Sequence, residues 1–212
     1  MLSIHGVERA AERLGDEQLA QRVARLPRQL EALAQLVERL LDVSRIRAGR
    51  VGIGTREMDL AVLVLEAVER FRAAAAQVGS TIDAQVPPDE VIGVWDRPRL
   101  EEVLNSLLGN AVKFAPGAPI EVRVTADDEN VYLTVRDYGI GIAPEKLPFI
   151  FDRFERGVSA RSYGGLGLGL YLARQIVEAH GGEIEAHNEP DRGARFTVRL
   201  PRHASRILND RR

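Results

Sequence analysis

The apolar positions of the first fifty residues recur at helical spacing. Ile4, Val7, Ala11 and Leu14 are separated by 3, 4 and 3, the stripe of an amphipathic helix. Gly15-Asp16 then reads as a stop followed by an N-cap. Leu19, Val23, Leu26, Leu30, Leu33, Val37, Leu40 and Ser44 continue at alternating 4 and 3, a heptad seam. The pattern predicts a helical hairpin over 1–49. Two stripes make a thin core, so a second copy is the expected partner and a dimeric four-helix bundle the expected product; packing of the stripe on the rest of the chain is the alternative. Pro27 removes a helical hydrogen bond and predicts a kink.

After Ala48-Gly49 the rhythm changes to alternating strand-like and helix-like pieces. Asp59 can cap a helix from Leu60 to about Gln77, with Gly79 ending it. Ser80–Val86 alternates as a half-buried strand, Pro87-Pro88 is a turn, and Val91–Trp95 a second strand. Asp96 and Pro98 open a helix reaching about Phe114. Strands are expected at Ile120–Thr125 and Val131–Arg136, a short helix at Pro144–Phe151, an irregular loop from Glu155 to Tyr163, and a helix from Leu168 to Ala179 stopped by Gly181-Gly182. Glu183–Glu189 and Ala194–Arg199 read as a closing hairpin. The sum is an α+β layer over 50–201, one sheet of about five strands with three helices on one face. Residues 202–212 read as a basic, frayed tail.

Composition narrows the function classes. The 212 residues contain no Cys, which excludes disulfides, thiolate metal sites and Cys nucleophiles. A formal net charge of −2 gives no global pull toward nucleic acid. The sequence contains neither a bilayer-spanning apolar run nor a charged-then-apolar leader, so a cytoplasmic location is expected, with membrane attachment only through a longer parent chain. The 29 basic residues include just two Lys, Lys113 and Lys146, so a Lys at a special place carries information.

Four stretches carry candidate chemistry. In Asn105–Phe114, helical spacing puts Ser106, Asn110 and Lys113 on one face at i, i+4 and i+7. An Asn carbonyl is a hard, neutral oxygen suited to Mg²⁺, and a Lys can neutralise a phosphate oxygen; taken alone, such a face reads as ordinary solvated helix. In Arg136–Ile142, a carboxylate at a strand end, Asp137, is followed by Gly139 and Gly141, which let a backbone pass close to a flat ligand. An ionised Asp accepts hydrogen bonds only. It would choose adenine, which offers an amino donor, over guanine, which offers a carbonyl; the bland reading is a plain turn. In Phe149–Gly157, three Phe read as an anchor for the following loop, and Arg153 and Arg156 could reach a phosphate or sit as surface cations. Gly165-Leu166-Gly167-Leu168-Gly169 leads straight into a helix, where unpaired N–H groups and the dipole favour an anion. No G-K-[ST] follows, and no βαβ unit precedes it, so the Walker and Rossmann patterns fail. Together the four specify a purine nucleotide pocket: Asp137 at the base, Asn110 at the metal, Lys113 and the Gly164–Gly169 loop at the phosphates.

In this order the stretches resemble the N, G1, F and G2 boxes of bacterial sensor histidine kinases, members of the GHKL-type ATPases shared with gyrase, Hsp90 and MutL. Leu36–Arg45 is similar to the end of the second helix of the dimerisation and phosphotransfer hairpin, Trp95–Val103 to the lead-in to the N box, and Gln175–Gly182 to the helix after the G2 box. The resemblance implies a helical hairpin followed by a two-layer α/β sandwich that binds ATP with Mg²⁺ and passes the γ-phosphoryl to a His for relay to a response regulator. It also implies that Phe114 packs near the adenine and that Glu155–Tyr163 forms a mobile lid.

Two departures stand out. Where the family often has Asn four residues before the metal Asn, this chain has Ser106, whose hydroxyl can still hold a metal-bound water. The family's H box, a His followed by an acidic residue and then a Pro, is absent; Leu2-Ser3-Ile4 resembles what comes just after one. His5 is read as a surface or seam residue, and His180 and His187 as structural, with the helix dipole favouring a charged His180. The expectation is a kinase core that binds ATP and does not phosphorylate itself. The alternative is a non-catalytic, nucleotide-gated regulator that forms mixed dimers with a full kinase. A serine kinase of the anti-sigma type is disfavoured because those lack the hairpin.

Overall fold

The computed structural model describes residues 53–155 and 167–203. The 1–49 hairpin with its dimer seam, Arg156, Gly165, Leu166, most of the expected lid and the tail beyond 203 lie outside the described residues. The described part is a two-layer α/β fold. A five-stranded sheet runs in the order β2 (Thr81–Gln85), β4 (Pro119–Ala126), β5 (Asn130–Asp137), β7 (Ala194–Pro201), β6 (Glu183–Asn188). Only the β2–β4 pair is parallel.

Alternation along the strands decides which face is covered. Val131, Leu133 and Val135 of β5, Ile120, Val122 and Val124 of β4, and Phe196, Val198 and Leu200 of β7 are buried. The residues between them carry charges and hydroxyls on the open face. The helices α1 (Leu60–Gln77), α2 (Arg97–Phe114) and α3 (Gly169–Ala179) cover the apolar face, as antiparallel sheets with one solvated side require.

Local chemistry fixes the helix ends. The Asp59 carboxylate accepts from Ala61 N–H at 2.8 Å and from Val91 N–H at 3.1 Å, capping α1 and tying it to the chain ahead of β3 (Ile92–Trp95). At the other end Gly79, at φ +76, donates to Ala76 and Ser80 donates to Ala75, the paired bonds of a Schellman stop.

Three expectations need correction. The Val91–Trp95 strand forms, but it does not join the main sheet. It pairs antiparallel with β1 (Arg56–Asp59) in a separate two-stranded ribbon. Three of the four residues of β1 are charged, so no alternation announced it. The helix expected at Pro144–Phe151 shrinks to one 3₁₀ turn, Leu147–Phe149. Of the three Phe read as an anchor, only Phe151 packs inward, edge-on to Phe196 with ring centres 6.4 Å apart. Phe149 and Phe154 are exposed, and Ile150 is buried instead.

Candidate nucleotide site

The strand pattern that buries Val131, Leu133 and Val135 also buries Asp137, the last residue of β5. An acidic group thus occupies a position where the alternation calls for an apolar one. Its Oδ1 accepts from Gly139 N–H at 2.9 Å and, longer, from Ala194 N–H at 3.4 Å. Burial pushes its carboxyl above the ordinary carboxylate range, and the two N–H groups only partly counter this. Buried carboxyls of this kind are concentrated at functional sites.

The glycines after Asp137 answer to the protein itself. A Cβ on Gly139 would lie 2.2 Å from the Phe114 carbonyl oxygen. That carbonyl is one of the orphans at the end of α2, and it accepts from Ile140 N–H at 3.2 Å. Gly141 has φ +71, and its missing Cβ would stand 3.1 Å from Asn188 Oδ1. The expected close approach is therefore to the end of α2 and to the β6 end.

On α2, Ser106, Asn110 and Lys113 are all half-buried while Asn105 is exposed, which supports the shared face. Lys113 Nζ lies 4.9 Å from the centre of the Phe114 ring. Ser106 Oγ is buried without a hydrogen-bond partner, and a Cβ on Gly169 would come within 2.9 Å of it. Ser106 therefore faces the first residue of α3. That helix has no side-chain cap: Leu168 stands at the N-cap, buried, and can offer a ligand only its backbone.

The flanks of the segment between Glu155 and Gly167 meet. Phe154 N–H donates to the Gly167 carbonyl at 3.0 Å, and both residues have positive φ, 63° and 69°. A Cβ on Gly167 would run into the backbone of Phe154 and Glu155, so glycine is required there. Arg153 reaches α3, donating to Tyr171 Oη at 2.7 Å. Lys146 pairs with Glu155.

His180 is structural, and its ring is neutral, so the helix dipole gains no charge there. It is buried, its Nδ1–H donates to the Ile176 carbonyl at 2.8 Å, and its Nε2 accepts from Asp96 N–H at 3.0 Å. Those roles require the neutral ring. Burial lowers its pKa against the Ile176 bond and the Asp96 charge. His187 is exposed on β6, 3.3 Å from Glu185.

The closing hairpin forms as expected, but the sequence assigns no role to the side chains of its turn. The Asn188 side chain bonds Ile142, Arg192 Nε donates to the Gly139 carbonyl at 3.0 Å, and Gly193 has φ +85. A Cβ on Gly193 would lie 1.9 Å from the Asp137 carbonyl oxygen. The one signal in the chain is a Pro and a Gly, Pro190 and Gly193, between two strands, and it names no partner.

A buried acid at a strand end, a glycine loop beside it and an uncapped helix facing a polar helix face define a nucleotide-binding ATPase fold. The family of histidine kinase-, DNA gyrase B- and HSP90-like ATPases matches residues 95–204, and the chain belongs to it. Within it the likeness is to sensor histidine kinases of two-component systems. Sensor histidine kinase MtrB of Mycobacterium leprae is 36% identical over 175 residues, covering 82% of this chain and 31% of that protein. Signal transduction histidine-protein kinase AfsQ2 of Streptomyces coelicolor is 40% identical over 182 residues, 82% of this chain and 31% of the relative. Among solved structures, full-length ShkA in complex with AMPPNP aligns with TM-score 0.78 and 27% identity, over 89% of this chain and 40% of that one. The chain spans about a third of the length of these curated relatives. Among the described residues no helix is long and apolar enough to cross a membrane.

Proposed function

We propose that this chain is the ATP-binding catalytic core of a sensor histidine kinase, which transfers the γ-phosphoryl of ATP to a histidine for relay to a response regulator. The observation that carries the reading is Asp137: buried, with both of its backbone bonds on Oδ1. Oδ2 is thereby left to accept from the adenine amino group, and a guanine carbonyl would meet the same oxygen as acceptor against acceptor. The backbone of Gly139 and Gly141 and the Phe114 ring line the base end. Lys113, Arg156, the Gly165–Gly169 stretch and the uncapped first turn of α3 serve the phosphates.

Mg²⁺ fits the donor set. The amide oxygen of Asn110 is a suitable ligand, and the unpartnered Ser106 Oγ can hold a metal-bound water. When bound, the ion neutralises charge on the phosphates. The protein's part is positioning and charge stabilisation. The 1–49 hairpin is assigned to homodimerisation and to docking the response regulator.

The four histidines of the sequence, His5, His180, His187 and His203, include none in an H box, so the chain is expected to bind ATP without phosphorylating itself. Incubation with γ-labelled ATP tests this. Acid-labile, base-stable label retained on the chain refutes it. Label appearing on an added kinase that has an H box but a dead ATP site supports transfer in trans.

A further inference from the structure

The glycine loop Asp137–Ile142 is gripped from one side by a single turn. Asn188, the last residue of β6, uses both ends of its amide on one residue 46 positions away. Ile142 N–H donates to Oδ1 at 2.8 Å, and Nδ2 donates to the Ile142 carbonyl at 2.6 Å. The side chain thus acts as a rung of a strand that the loop lacks. Four residues later Arg192 Nε holds the Gly139 carbonyl at 3.0 Å. Gly193 lets the backbone pass against the Asp137 carbonyl, and Ala194 N–H reaches Asp137 Oδ1.

The same turn is anchored behind the strand. Asp191 takes two bonds from Arg136 Nη2, both at 2.9 Å. Arg136 and Asp137 are successive residues of β5 and project to opposite faces. The turn therefore straddles the strand end, with Asp191 fixed outside it and Arg192 and Ala194 fixed inside. Every bond made by Asn188 and Arg192 here goes to loop backbone.

We infer that Asn188 and Arg192 are positioning residues for base selection: the β6–β7 turn is a clamp that sets where Asp137 and the glycine loop stand, so adenine preference depends on side chains acting through that backbone. The inference rests on the reading of Asp137 as the base-recognising group. A carboxylate selects one base over another only if its free oxygen is held to within a fraction of an ångström, and the clamp supplies that restraint.

The test uses the full chain and titrates Mg-ATP, Mg-GTP and inorganic triphosphate by calorimetry, with thermal melts in parallel. N188A is expected to weaken ATP at least fivefold while GTP and triphosphate stay within twofold, so the ATP-to-GTP preference falls. N188D keeps the acceptor for Ile142 N–H and should recover part of that preference. R192A removes one part-buried bond and is expected to weaken ATP about two- to threefold; it carries the test if N188A does not fold. An unchanged ATP-to-GTP ratio in folded N188A and R192A, with D137N losing it, overturns the clamp and leaves the site reading intact. Equal weakening of ATP and triphosphate also overturns it. A wild-type chain that binds GTP as well as ATP overturns the base reading itself, and the clamp with it.

Discussion

The two ends of helix α2 are built to opposite rules. At its N-terminus the buried polar groups are answered from within the chain. The Asp96 carboxylate accepts from Gly54 N–H at 2.8 Å and Arg99 N–H at 3.2 Å, its own N–H meets His180, and Trp95 Nε1 donates to the Pro201 carbonyl at 2.8 Å. Toward its C-terminus the accounts stay open. Ser106 Oγ is buried without a partner, the neighbouring α3 has no side-chain cap, and buried Asp137 bonds through one oxygen. Buried polar groups are nearly always satisfied in folded proteins. One such exception, Ser106 Oγ, beside an uncapped helix and a half-used carboxylate, sets this part of α2 apart from the end that holds the fold together.

Removing Asp96, which with His180 latches the N-terminal end of α2 to the rest of the fold, gives the largest expected effect. Asp96→Ala deletes a helix cap and a second backbone bond from a buried site, and should cost about 2–3 kcal/mol of stability. Urea denaturation measures it. If the comparison holds, ATP affinity of the folded fraction changes little.

Asp137→Asn should behave in reverse. Loss of one charged hydrogen bond is expected to weaken adenine nucleotides by about 2 kcal/mol, roughly thirtyfold. Because burial raises the Asp137 pKa, the ionised carboxylate opposes folding above that raised value. The neutral Asn keeps an acceptor for Gly139 and should leave the ligand-free melting temperature equal or higher. Calorimetry and melts on the same sample would break the comparison if affinity held and stability fell.

The latch and the site also carry opposite pH signs. The His180 pKa is lowered, chiefly by burial. Its contribution to stability is present in full above the unfolded value of about 6.5 and is lost as pH falls through the lower folded value. That one proton gives a slope of at most about 1.4 kcal/mol per pH unit. Asp137, with its raised value, works the other way as pH falls. From pH 7.5 to 5 the His180 part should lower stability, and His180→Gln should remove that part; an unchanged slope in that variant would sink the assignment of His180 to the N-terminal end of α2.

What the sequence disclosed depended on how far apart the interacting residues lie. The caps at Asp59 and Asp96 and the stop at Gly79 involve neighbours in the chain, and they were read with helix bounds close to those observed. Asp137 was found because strand alternation and a D-x-G-x-G spacing meet at one residue. Asn188 was not, because its partner lies 46 residues away and nothing at Asn188 names it. A second demand on Gly139 stayed hidden for a similar reason: the carbonyl it avoids belongs to Phe114, on another element. His180 sat at a helix end where the dipole favours charge, but burial, a tertiary property, prevailed.

Ser106 offers the smallest effect and the finest discrimination between the two ends. Elsewhere, deleting a buried hydroxyl that makes a good bond costs about 1 kcal/mol. Ser106 Oγ has no bond to lose, so Ser106→Ala should change ligand-free stability by no more than about 0.5 kcal/mol, with the gain and loss directions both small. Its consequence should emerge only when nucleotide and Mg²⁺ are present together. A few-fold loss of Mg-ATP affinity, with metal-free ATP unchanged, is expected if the hydroxyl holds a metal-bound water. Titration with and without the ion separates the cases. Equal affinities in both variants would mean that the orphaned hydroxyl is only a packing contact with Gly169, and that the open end of α2 begins one turn later, at Asn110.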